Sequence, residues 1–179
     1  MYPGKYAAQN PDKPAFIMAD SGEAVTYREY EARCNRLAHL LRDQGLERLH
    51  HYAVFMENNV RYMESCGAGE RAGHYYTCIN SYLTAQEVAY IVNNSESQVL
   101  IISEARRETA MAALADCPNV QLCIVVDGPG DGDKIVNLDE ATANFPDTPI
   151  PDECLGIAML YSSGTTGQPK GILRPLPEN

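Results

Sequence analysis

The sequence predicts a doubly wound α/β fold, in which a mostly parallel sheet is flanked by helices. Three observations carry that expectation. Short apolar, β-branched runs alternate with longer stretches of helical periodicity, and strands separated by helices imply βαβ crossovers. The runs are near-continuous in apolar residues, as strands covered on both faces are. Two helical stretches also open with capping-box spacing, Thr26 with Glu29 and Thr84 with Glu87.

Taken in order, the first 14 residues, MYPGKYAAQNPDKP, are polar and proline-rich. They carry no apolar h-region and do not read as a signal peptide. From Thr26 a helix is expected, because Tyr30, Cys34, Leu37 and Leu41 fall on one face; Gly45 stands where a glycine follows a helix end. YAVFM (52–56) reads as a buried strand and 60–72 as a helix. Gly67 and Gly69 weaken that helix by roughly 1 kcal/mol each relative to alanine. YYTCIN (75–80) is a second strand, and Val88, Ile91 and Val92 mark the helix that starts at Thr84. QVLIIS (98–103) is a third strand, 104–115 an alanine-rich helix and VQLCIVV (120–126) a fourth strand. DGPGDGD (127–133) has acidic spacing but lacks the closing glutamate of a calcium loop, so it reads as a turn. A short helix near 139–144 leads to the linker FPDTPIP, and GIAMLYS (156–162) forms the last strand.

Composition narrows the function. At 179 residues the chain suffices for one domain with a core and is short for two. No apolar run approaches the roughly 20 residues of a membrane helix, so a soluble, cytoplasmic protein is expected. A net charge of −10 argues against nucleic-acid binding, which needs cations to displace phosphate counterions. The six cysteines form no C-x-x-C pair and the four histidines no zinc spacing, so buried or incidental thiols are expected rather than disulfides or a metal. His50-His51 reads as a solvated turn, His74 as a surface or satisfied core histidine, and 104–108 (EARRE) as a solvated helix face. Tyr75, Tyr76, Tyr82 and Tyr90 could line an acyl or nucleotide pocket, although packing accounts for them.

One stretch stands apart: YSSGTTGQPKGI, residues 161–172. It follows a strand, and ligands of doubly wound sheets bind beyond the carboxyl ends of the strands. Gly164, Gly167 and Gly171 let backbone approach a ligand closely, and successive N–H groups in such a turn form an anion-binding nest. Ser162, Ser163, Thr165 and Thr166 add hydroxyls, and Lys170 a charge on a flexible stem. All of this suits phosphate oxygens. A flexible Gly/Ser linker is the plain alternative, and the ordered pattern with its lysine argues against it. The P-loop spacing G-x-x-x-x-G-K-[ST] fails, since two residues separate Gly167 from Lys170 and no Ser/Thr follows. Nor does a helix follow, because KGILRP is extended in character. The loop is therefore expected to join two extended segments, as a flap over a triphosphate does.

MLYSSGTTGQPK (159–170) resembles, at all twelve positions, the phosphate-loop signature of the adenylate-forming superfamily of acyl-CoA synthetases, adenylation domains and luciferases. AVTYREYEARCNRLAHLLRDQGL, YAVFMENNVRYMESCGAGERAG and INSYLTAQEVAYIVNNSESQVLI are similar to successive stretches of the same family, the last to fatty-acyl-CoA ligases. The resemblance implies an N-terminal portion, 1–179, of the AMP-binding domain: the first subdomain of the large N-terminal domain of an acyl-CoA synthetase, ending just after the phosphate loop (161–171), with the C-terminal domain absent. It implies that a carboxylic, chiefly fatty, acid attacks the α-phosphate of ATP to give acyl-AMP, and that coenzyme A then displaces AMP. Ser162, Ser163, Gly164, Thr165, Thr166, Gly167 and Lys170 would hold the ATP phosphates, with Thr165 or Thr166 as a Mg²⁺ contact. No residue of this chain is expected to be the general base or nucleophile, and the portion alone is expected to be inactive. Two alternatives remain open: a non-catalytic nucleotide-binding module, and an adenylation enzyme that loads a carrier protein. Expected partners are the acid, ATP and coenzyme A, with no nucleic acid and no transmembrane segment, and self-association as a homodimer is allowed for.

Overall fold

The computed structural model describes residues 3–162 and 169–176. An N-terminal helix α1 (Gly4–Gln9) and an antiparallel hairpin of β1 (Pro14–Ile17) and β2 (Ala24–Thr26) precede the main layers. There follow α2 (Tyr27–Asp43), β3 (His51–Phe55), α3 (Tyr62–Ala72), β4 (Tyr75–Ile79), α4 (Ala85–Asn94) and β5 (Val99–Ile102). A 3₁₀ turn (Glu104–Arg106) runs into α5 (Arg107–Leu114), and β6 (Leu122–Val125), β7 (Ile135–Asn137) and α6 (Leu138–Thr142) complete this part. The chain then continues as β8 (Ile157–Ala158), β9 (Leu160–Ser162) and β10 (Lys170–Ile172).

Six strands form one sheet in the order β7-β6-β5-β3-β4-β8, every neighbouring pair parallel. Alternate residues of each central strand enter opposite cores. Tyr52, Val54, Val99, Ile101, Leu122 and Ile124 pack with Leu37, Leu41 and Leu138 from α2 and α6. Ala53, Phe55, Leu100, Ile102, Cys123 and Val125 pack with Val88, Ile91 and Ala113 from α4 and α5. Both faces of the sheet are therefore dry, which explains the unbroken apolar runs. The doubly wound expectation holds.

Both capping boxes form. Thr26 Oγ1 accepts from the Glu29 amide and the Thr26 amide donates to Glu29 Oε2, and Thr84 with Glu87 repeats the arrangement. Gly45 takes φ +82°, as a residue after a helix end must when left-handed. Gly67 and Gly69, which weaken α3 by propensity, bring it close to its neighbours. A Cβ on Gly67 would lie 2.5 Å from Tyr30 Oη and 2.6 Å from Cys34 Sγ, and one on Gly69 would lie 2.5 Å from Tyr52 Oη. The packing is sealed by Arg71, whose guanidinium is fully buried between α3 and α2, 3.1 Å from Glu31 Oε1 and 2.8 Å from Asn35 Oδ1.

Several expectations are corrected and others are met. GIAMLYS is not one strand: β8 pairs parallel with β4, whereas β9 leaves the sheet at Met159 and pairs antiparallel with β10. The helix expected over 104–115 begins as a 3₁₀ turn. The stretch EARRE is not merely solvated either, because Arg107 Nε bonds Glu104 Oε2 at 2.7 Å and Arg106 faces Glu57 at 3.6 Å. His51 is the first residue of β3, half-buried, its ring 4.8 Å from that of Tyr75, and burial lowers its pKa. His74 is a core residue: Arg42 Nη1 donates to its Nε2 at 2.9 Å, and burial together with Arg42 pushes its pKa down to about 4. All six cysteines are free thiols. Among the described residues no helix is long and apolar enough to cross a membrane, and no cluster of three potential metal ligands occurs.

Candidate functional site

The loop singled out by the sequence is carried on the β9–β10 hairpin. Its register pairs Lys170 with Ser162, Gly171 with Tyr161 and Ile172 with Leu160. Side chains alternate across a strand, so Ser162, Lys170, Leu160 and Ile172 share one face, and all four are exposed. Tyr161 and Gly171 occupy the other face, toward the body of the protein. There a Cβ on Gly171 would lie 2.6 Å from Met159 Cε and 3.1 Å from the Tyr161 ring, so a larger residue would have to push these two side chains aside.

Three tyrosines seat the hairpin. Tyr161 donates to Asn94 Oδ1 at 2.7 Å, and Tyr90 donates to the Pro169 carbonyl at 3.2 Å. Tyr75 donates to the Arg174 carbonyl at 2.9 Å and accepts from the Leu176 amide at 3.2 Å, while Leu176 packs with Tyr75 and Met159. Burial, with Tyr90 alongside, raises the Tyr161 hydroxyl to about 12, so it stays a donor at working pH. Helix α4 runs back from the carboxyl end of β4 to the amino end of β5. Tyr90 is thus one turn nearer the carboxyl ends of the strands than Asn94. Between Tyr161 and Pro169 the anchors advance toward that rim, the ligand-binding side of such sheets.

Of the sequence-predicted phosphate contacts, Ser162 and Lys170 face each other across the hairpin neck with their side chains in solvent. Ser163, Gly164, Thr165, Thr166 and Gly167 lie outside the described residues. The loop is flanked by two extended segments, as expected, and Lys170 opens a strand rather than a helix. Tyr75 and Tyr90 support the hairpin rather than line a pocket. Tyr76 is buried and donates to Glu70 Oε1 at 3.0 Å, and Tyr82 is largely exposed to solvent.

A second polar group, not anticipated, closes the carboxyl ends of β3 and β5. Ser103 donates to Glu57 Oε2 at 2.6 Å, and Asn59 and Arg106 also face this carboxylate. Burial acts to raise the Glu57 pKa, but these donors outweigh it and hold the group ionised. Both residues lie just past apolar strand runs, the sequence signal that could have pointed to them.

The sequence matches the AMP-binding enzyme family over residues 5–175. The chain belongs to the AMP-binding enzyme family. Among similar proteins, a 3-oxocholest-4-en-26-oate–CoA ligase of Rhodococcus rhodochrous is 30% identical over 162 residues, which are 87% of this chain and 29% of the relative. Bacitracin synthase 3 of Bacillus licheniformis is 29% identical over 166 residues, 93% of this chain and 2% of that protein. The crystal structure of the anthranilate–CoA ligase AuaEII with anthranoyl-AMP superposes with a TM-score of 0.84 at 21% identity, over 94% of this chain and 32% of that one. The fold is therefore that of these ligases, and the chain spans less than a third of the length of either ligase.

Proposed function

We propose that this chain carries the phosphate-holding loop of an AMP-forming acyl-CoA synthetase, an acid–thiol ligase. The observation that carries the reading is the hairpin neck, which presents Ser162 and Lys170 together on an exposed face beside the Gly/Ser/Thr segment. In this reading a carboxylate attacks the α-phosphorus of ATP, pyrophosphate leaves, and the thiol of coenzyme A displaces AMP from the acyl-AMP. Ser162, Ser163, Gly164, Thr165, Thr166, Gly167 and Lys170 hold the β- and γ-phosphates, fix the leaving group in line and offset its growing charge. The exposed hydroxyl and ammonium at the neck fit a polyanion. Mg²⁺ arriving with the nucleotide would neutralise phosphate charge beside Thr165 or Thr166. None of these loop residues is assigned a proton transfer, and the chain spans less than a third of its ligase relatives, so by itself it is not expected to turn over.

The named activities of the CoA-ligase relatives support an apolar carboxylic acid as substrate and coenzyme A as acceptor; a fatty acid and a cytoplasmic setting are part of the same proposal. A second reading replaces coenzyme A with a carrier-bound thiol, and the match to bacitracin synthase 3 favours it. The test is amide NMR of the chain titrated with MgATP and with inorganic triphosphate. Shifts centred on Ser162–Gly171 are expected, with Lys170→Met weakening affinity about tenfold or more, the scale of a charge-assisted hydrogen bond. Perturbation confined to other residues, or unchanged affinity in Lys170→Met, would overturn the assignment. ATP–pyrophosphate exchange by the isolated chain would overturn its expected inactivity.

A further inference from the structure

Six thiols are present, and two of them meet. Cys66 lies on α3 and Cys78 on β4, with their Sγ atoms 3.6 Å apart. Cys78 points to the same side of β4 as Tyr76, the face that α3 covers. The edge strand β8 pairs only with Tyr75 and Tyr76, so Cys78 sits beyond the covered part of β4. Both cysteines are correspondingly half-buried, whereas Cys34, Cys117, Cys123 and Cys154 are buried.

We propose that Cys66 and Cys78 form a redox-modification site, an intramolecular dithiol that hydrogen peroxide converts to a disulfide. The sulfurs already touch, and closing to the bond length of about 2.05 Å requires roughly 1.5 Å of approach, within reach of side-chain rotation. Their roles differ. Either sulfur can donate to the other; with Cys66 donating, that bond and the Tyr62 hydroxyl act against burial and lower the Cys78 thiol, while Cys66 is raised. Cys78 is then the attacking thiolate and Cys66 the resolving thiol.

The chemistry balances. The Cys78 thiolate attacks the peroxide, the O–O bond breaks, and a sulfenic acid forms with release of water once a proton is taken up. The Cys66 sulfur attacks that sulfenic sulfur, loses its proton and expels a second water. The two thiols are oxidised by two electrons and the peroxide is reduced by two. The bridge would tie α3 to β4, and these elements seat β8: the Gly156 amide bonds the Glu70 carbonyl at 2.8 Å, and the Met159 amide bonds the Tyr76 carbonyl at 2.9 Å. The modification therefore acts on the base from which the hairpin leaves the sheet.

The experiment exposes the chain to stoichiometric hydrogen peroxide and follows it by peptide mapping with and without dithiothreitol. A Cys66–Cys78 cross-link that reverses with dithiothreitol is expected to form about tenfold or more faster than oxidation of any of the other four thiols. Cys66→Ser should stop at a Cys78 sulfenic acid trapped by a cyclic 1,3-diketone, and Cys78→Ser should leave Cys66 reduced. The proposal is overturned if the pair oxidises no faster than the buried thiols, if Cys66 or Cys78 links to another cysteine, or if the wild-type chain stalls at sulfinic acid. Should neither variant fold, the wild-type map alone decides among these outcomes.

Discussion

Substituting Gly156 by alanine tests how the chain enters the hairpin. Gly156 lies just before β8, where the backbone crosses the end of α3. A Cβ there would stand 2.0 Å from the Gly69 carbonyl oxygen and 2.6 Å from the His74 carbonyl oxygen. Both obstacles are backbone, so no rotamer change relieves them, and β8 must withdraw by about 1 Å or more. That withdrawal lengthens two hydrogen bonds, Gly156 N to Glu70 O at 2.8 Å and Ile157 N to His74 O at 3.0 Å. Overpacking costs about 1–3 kcal/mol, and each lost bond about 1 kcal/mol net. Gly156→Ala should thus destabilise the chain by about 3–5 kcal/mol, lowering Tm by roughly 6 to 20 °C. The assay is urea and thermal unfolding followed by circular dichroism. The control is Gly132→Ala, where φ is +71° and nothing lies within 4 Å, so left-handed strain alone costs about 1 kcal/mol. A Gly156→Ala chain no less stable than the Gly132→Ala chain would refute the reasoning.

Two further outcomes follow from buried polar groups. The unfolded chain takes up a proton on His74 at about pH 6.5, and the folded chain only near pH 4; stability is therefore full above pH 6.5 and falls as pH drops from 6.5 to 4. The loss is about 3 kcal/mol, and in His74→Gln, which still accepts from Arg42 without titrating, denaturation midpoints should depend less steeply on pH across that window. Tyr75→Phe removes the hydroxyl shared by Arg174 and Leu176, so amide exchange at Leu176, read by NMR, should accelerate about fivefold, the worth of a bond of about 1 kcal/mol.

What the sequence disclosed was what local chemistry decides. Thr26 with Glu29 and Thr84 with Glu87 satisfy their own helix ends, so spacing alone located them. The central strands are apolar throughout because both faces are covered, and composition alone revealed that. The break at Met159 was hidden because GIAMLYS reads alike whether it pairs with β4 or with 170–172. Partner choice is made by Gly156 and by the tyrosines, outside the run itself. Gly67 and Gly69 read as flaws in a helix, and only the neighbouring Tyr30, Cys34 and Tyr52 give them a purpose. The short strand β7 and the β1–β2 hairpin left no trace, since three or four residues carry too little periodicity. The anchors of the hairpin were illegible for a related reason. Tyr90 and Tyr75 bond main-chain carbonyls, and a carbonyl has no letter in the sequence.

Those anchors bear on the candidate site through register. A strand displaced by one residue turns every side chain to the opposite face. Were β10 shifted by one position against β9, Lys170 would turn toward α4 and β4, and a residue with a Cβ would meet the Tyr161 ring in place of Gly171. That arrangement would carry the Pro169 carbonyl away from Tyr90 and crowd the Tyr161 ring, so both contacts oppose it. Residues that need not touch a nucleotide thus fix which way Ser162 and Lys170 point. A loop entered and left through a locked neck gives up less orientational freedom when it closes on a polyanion than one tethered by free chain. On the proposed phosphate role, Tyr161→Phe and Gly171→Ala should therefore weaken triphosphate binding in the same NMR titration, as changes to the hydroxyls and the lysine should.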